Sequence, residues 1–149
     1  MKRLVVAAGV LVFGISAAVA QQNIAVQQDN LMRAQAKSLY SVIWKMVKGD
    51  IPYNQAAIDH ALAELDKSVG TIAEVFTPNP KEDVVDATYG ASQKIWQNKA
   101  DFDSRIPPVT KAIRSAKSTV KNAKTLKAAY EAINAKCNDC HETYRIKLK

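Results

Sequence analysis

Residues 126–144 read LKAAYEAINAKCNDCHETY. Their apolar positions, Leu126, Tyr130, Ile133, Cys137, Cys140 and Tyr144, recur at steps of four and three. That spacing lines one face of an α-helix, because 3.6 residues complete a turn. Thr125, just ahead of the run, carries an oxygen suited to capping the helix start. Three earlier runs repeat the pattern. Met32, Ala36, Leu39, Ile43 and Met46 end at Gly49, with Lys45 and Lys48 in the last turn, where cations suit the helix dipole. Ile58, Leu62, Leu65, Val69, Ile72 and Phe76 run from a cap at Asn54 to a stop at Thr77-Pro78-Asn79-Pro80. Phe102, Ile106, Val109, Ile113, Ala116 and Val120 form the third run, with Ile95 and Trp96 near its start. Pro107 and Pro108 fall inside it, yet the apolar steps continue across them, so a kinked helix is expected there. No segment alternates as a half-buried strand does, and the chain reads as all-α. The connections are a few residues near 50–53, a longer stretch over 77–90 and a basic polar stretch over 117–124, and short connections make neighbouring helices antiparallel. The expected architecture is an up-down-up-down four-helix bundle.

At 149 residues, 48% apolar and 23% charged, the chain has the size and composition of one globular domain. It contains neither G-x-G-x-x-G nor G-x-x-x-x-G-K, so the common nucleotide-binding fingerprints are absent. Lys2 and Arg3 precede an uncharged stretch from Leu4 to Ala20 that closes in Ala18-Val19-Ala20. A basic start, an apolar run and a small-x-small end make a secretory signal peptide, cleaved after Ala20. Its 17 residues fall short of the roughly 20 that span a bilayer. The domain is therefore 21–149, with no stable membrane anchor, exported to a bacterial periplasm. Loss of Lys2 and Arg3 lowers the net charge from +7 to +5.

Cys137-Asn138-Asp139-Cys140-His141 is a C-x-x-C-H sequence, the attachment signature of c-type haem. Two thiols one helical turn apart can each add to a vinyl group on one porphyrin edge, and His141 then lies under the iron as an axial ligand. Three other readings compete: a Cys137–Cys140 disulfide, a zinc site and coincidence. A redox C-x-x-C belongs at a helix start after a strand, whereas this one ends a helix. Zinc wants four ligands, and the only other histidine is His60, a surface residue near the start of the second run.

Only eight residues follow His141 and none is Met, so a sixth iron ligand cannot come from downstream. A haem motif at the C-terminal end of a four-helix bundle resembles the class II c-type cytochromes, the cytochrome c′ family. The matching residues are Cys137-Asn138-Asp139-Cys140-His141-Glu142-Thr143-Tyr144-Arg145, Lys48-Gly49-Asp50-Ile51-Pro52-Tyr53 and Ile95-Trp96. The resemblance implies one covalently attached haem c, thioether-linked through Cys137 and Cys140, with His141 as proximal iron ligand. It implies Arg145 as a partner for a haem propionate. It also implies two functional branches: a six-coordinate low-spin electron carrier with a methionine from the first helix, or a five-coordinate high-spin protein binding nitric oxide or carbon monoxide. Family members are monomers or dimers joined through the first two helices. Arg33, Lys37 and Lys45 on the outer face of the first run favour the monomer.

After the leader, two methionines remain, Met32 and Met46. The first helix of an antiparallel bundle starts where the fourth ends, which brings Met32 to the end that holds His141. Met46 lies 14 residues on, about 21 Å away at 1.5 Å per residue, and is a core residue. Met32 as distal ligand agrees with the Leu-Met pair that Met-ligated members carry at this position, here Leu31-Met32. Core packing is its rival role. Trp96 falls near the same end, against the porphyrin edge or in the core. No distal His or acidic group is evident near Met32, so an enzyme is not expected. The lysines form no basic stripe with interleaved aromatics, which argues against nucleic acid. The charge suits steering toward redox partner proteins with acidic docking surfaces.

Overall fold

The computed structural model describes residues 10–149, with side chains from residue 23 onward. The leader expected over residues 1–20 lies partly outside the described residues, and its remainder forms the opening turns of the first helix. Helix α1 (Val10–Ala36) continues without a break through a π-helical segment (Lys37–Trp44) into α2 (Lys45–Lys48), so the three make one rod. The rod stops at Gly49, whose φ of 82° is left-handed, the conformation that favours glycine at a helix end. Asn54 caps α3 (Gln55–Gly70) as expected, its side chain accepting from Ala57 N at 2.9 Å. A single-residue turn at Thr71 separates α3 from α4 (Ile72–Val75), so the second run is two helices.

The third run differs more. It is built from α5 (Lys94–Gln97), α6 (Lys99–Ser104) and α7 (Ile106–Thr119). The expected kink inside one helix is instead a break at Arg105, with Pro107 and Pro108 in the first turn of α7. Proline fits there because the first-turn N–H groups have no intrahelical partner to lose. Helix α8 (Ala123–Tyr144) is capped by Asn122 rather than by Thr125. Thr125 returns the contact, its hydroxyl accepting from Asn122 N at 3.1 Å while Asn122 Oδ1 accepts from Thr125 N at 3.0 Å.

The rod, α3, α7 and α8 surround one core, each packing on two neighbours. Ile58, Leu62 and Leu65 of α3, Ile113 of α7, Leu126 and Ile133 of α8 and Ile43 of the rod are nearly or wholly buried. This is the expected four-helix bundle, with one addition. Strand β1 (Tyr89–Ala91) pairs antiparallel with β2 (Arg145–Lys147), placing Gly90 opposite Ile146. Bonds from Ser92 N to Tyr144 O and from Leu148 N to Thr88 O, both 2.9 Å, extend the ribbon at each end. Three-residue strands held only by backbone pairing leave no alternation in the sequence to find.

Candidate functional site

The last two turns of α8 carry Cys137, Cys140 and His141 at the end of the bundle where the ribbon closes. Cys137 and Cys140 are three residues apart, a rise of about 4.5 Å, and both are half-buried against the core. Both thiols are free, so the disulfide alternative does not describe this structure. Burial first, and then Cys140, push the Cys137 thiol up to about 11. Burial likewise raises Cys140. Among the described residues no three His, Cys, Asp or Glu side chains are grouped to hold a metal ion. His60 is exposed on α3, as the sequence suggested.

His141 is half-buried, and burial followed by the nearby Arg145 charge pushes its imidazole down to about 4. It is thus neutral at physiological pH, the form in which histidine binds metals. Its Nδ1 is buried and has no hydrogen-bond partner. Two neutral thiols one turn apart and a neutral imidazole with an orphaned nitrogen fit haem c, which takes up the thiols covalently and the imidazole at iron.

A network behind the motif holds it to α6. Arg105 donates to Asp139 at 3.2 Å and to Asp101 at 3.3 Å, and the Tyr144 hydroxyl also donates to Asp101. The Tyr144 hydrogen bond and then Arg105 keep the Asp101 carboxyl below the usual carboxylate range. Phe102 packs edge-on to Tyr144 at 5.2 Å, and Phe76 lies 5.5 Å from Phe102. Trp96 belongs to this cluster as a half-buried core residue, its indole N–H donating to Phe76 O at 3.0 Å.

On the outer side of His141 is a surface depression of about 390 Å³, lined in part by Tyr89, Asn138, Glu142, Arg145 and Lys147. The Arg145 guanidinium sits 4.4 Å from the Tyr89 ring centroid. A cation on a ring face loses little freedom on meeting an anion.

On the facing rod, Gln28, Met32, Gln35 and Leu39 form the inward stripe, and Ala36, expected in the seam, is exposed. Two glutamines on an inward stripe were masked by their polarity. Gln28 is 4% exposed and donates through Nε2 to Val75 O at 3.1 Å and Pro78 O at 2.9 Å. Met32 is half-buried against the core, and Met46 is buried within it. Further along, the Tyr40 hydroxyl donates to Asn134 Oδ1 at 2.8 Å. The Trp44 ring stacks on Tyr130 at 4.6 Å.

The family model described as Cytochrome C′ matches residues 22–145. Cytochrome c-555 of Bradyrhizobium diazoefficiens is 61% identical over 149 residues, 100% of both chains. Cytochrome c-556 of Rhodopseudomonas palustris is 37% identical over 148 residues, 99% of each chain. Among solved structures, oxidised cytochrome c556 of R. palustris is similar with a TM-score of 0.73 and 33% identity, over 86% of this chain and 99% of that one.

Proposed function

The chain belongs to the cytochrome c′ family, and from that premise we propose that it carries single electrons, with His141 and Met32 as the two axial ligands of its iron. Haem c is the family's cofactor, one per chain, and when bound it supplies a one-electron ferric–ferrous couple. Cys137 and Cys140 anchor it by thioether bonds and His141 gives its neutral imidazole to the proximal side.

The observation that carries the Met32 assignment is the register between the rod and α8. Tyr40 meets Asn134 and Trp44 meets Tyr130, so a four-residue step along the rod is answered by four in the opposite sense along α8. Two further steps bring Met32 level with Glu142, the neighbour of His141. Met32 also sits on the inward stripe, half-buried against the core. Ligation by a thioether fills the sixth position and raises the reduction potential relative to other axial pairs. A filled position suits electron transfer and closes the iron to gases.

Arg145, already seated on Tyr89 beside His141, pairs with a haem propionate. The protein works in the periplasm as a monomer after removal of residues 1–20. In support of that removal, the family match starts at residue 22. The basic surface receives redox partners with acidic faces.

The test is the absorption spectrum of the holoprotein, oxidised and reduced, with and without carbon monoxide. A low-spin reduced spectrum, a thioether-to-ferric charge-transfer band and no response to carbon monoxide are expected, all lost in Met32→Ala. A high-spin spectrum that shifts with carbon monoxide overturns the assignment and makes the protein a five-coordinate gas binder.

A further inference from the structure

Among the described residues, two buried side-chain nitrogens lack a hydrogen-bond partner: His141 Nδ1 and Gln35 Nε2. They come from facing helices. The register that sets Met32 level with Glu142 sets Gln35 level with Asp139, so both orphans belong to one end of the bundle. Buried polar groups are nearly always satisfied, so an orphan donor one turn from the proposed ligand Met32 marks a place where a bound group can supply what the chain does not. Gln28, on the same stripe, shows the contrast, since its amide is fully engaged by two carbonyls.

Gln35 follows Met32 by three residues, which places their Cβ atoms about 5–6 Å apart on one helix face. Helical side chains lean toward the N-terminus, so the Gln35 amide lies over the turn that carries Met32. Haem offers two kinds of acceptor to such a donor, its propionate carboxylates and the axial sulfur. Of these, the Met32 sulfur is the one that would be carried within one turn of Gln35 on the same helix face.

We propose that Gln35 is the distal hydrogen-bond donor of the site, its Nε2–H directed at Met32 Sδ in the holoprotein. The inference rests on Met32 being an axial ligand, as proposed above. An iron-bound thioether keeps one lone pair, and a donor on that pair draws electron density from the sulfur. The sulfur then stabilises the ferric state less, and the couple shifts toward ferrous. Gln35 is on this account a positioning and tuning residue whose effect reaches the iron through Met32.

The test compares wild-type and Gln35→Leu holoprotein by charge-transfer spectroscopy and redox titration. The wild-type spectrum tests Met32 ligation by itself. The variant is expected to stay low-spin, with a displaced thioether-to-ferric band. At a fixed ambient potential its ferrous-to-ferric ratio falls by about threefold to tenfold, the range one ordinary hydrogen bond covers. Should the leucine variant fail to load haem, Gln35→Ala, smaller and helix-favouring, carries the same expectation. A low-spin variant with an unmoved band and potential overturns the role of Gln35 and leaves Met32 ligation standing. A five-coordinate wild type overturns both.

Discussion

Replacing Gln28 by leucine isolates one contact that holds the rod to the loop below α4. Gln28 is 4% exposed, and its single amide nitrogen serves Val75 O at 3.1 Å and Pro78 O at 2.9 Å. Both carbonyls lie at or just past the end of α4, where no intrahelical donor reaches them, so Gln28 acts as a cap supplied from another helix. Leucine keeps roughly the same volume and removes both bonds. Two net hydrogen bonds amount to about 1–3 kcal/mol. The Pro78 residue is exposed and its carbonyl can turn to water, while the half-buried Val75 carbonyl cannot do so freely. Burying the leucine returns part of the loss, at about 0.8 kcal/mol per methylene. The expected net cost is about 1–2 kcal/mol, with about another 1 kcal/mol for Gln28→Ala, which also opens a cavity. Urea unfolding of the holoprotein followed by circular dichroism measures it, with an unchanged denaturant slope. A leucine variant as stable as wild type would refute the reasoning and show that water serves both carbonyls equally well.

Burial, and then the hydrogen bond to Asp101, push the Tyr144 phenol from 10 up to about 12. The folded chain therefore keeps a proton that the unfolded chain loses, so stability falls as pH rises from about 10 to 12. Tyr144→Phe should remove that part of the alkaline decline in a pH series of unfolding curves. An added Cβ at Gly49 meets nothing within 4 Å, yet φ is +82°, so Gly49→Ala costs about 1–2 kcal/mol through the backbone alone. Gly70→Ala, in α3 with equal space and no left-handed φ, should instead stabilise by about 0.4–1 kcal/mol in the same urea assay.

The four helical runs were legible because each buries one stripe, and Leu62, Ile113 and Ile133 lie where the periodicity put them. The Cys137-Asn138-Asp139-Cys140-His141 motif was legible because attachment chemistry dictates its spacing. Contacts between residues far apart in sequence were not. Nothing local announces that Arg105 reaches Asp139, or that Arg145 lies on Tyr89. The cap of α8 was misplaced because Asn122 and Thr125 exchange hydrogen bonds, and either residue alone suffices as a start signal. Gln35 was passed over in favour of Ala36 because a search for apolar periodicity discards a glutamine on sight.

The π-helical segment between Ala36 and Lys45 divides the rod into two halves with different phases. One half, with Met46, is seated in the hydrophobic core, and the other carries Met32 and Gln35 on its inward stripe. A π turn holds the extra residue that an α-helix has no room for. Deleting one residue within Lys37–Trp44 would let the segment relax to α-helix while the core half stayed seated. The outer half would then turn by about 100° and slide about 1.5 Å, carrying Met32 and Gln35 off the inward stripe together. The segment thus works as a vernier, setting the angle at which the outer half presents Met32 and Gln35 without disturbing the half seated in the core.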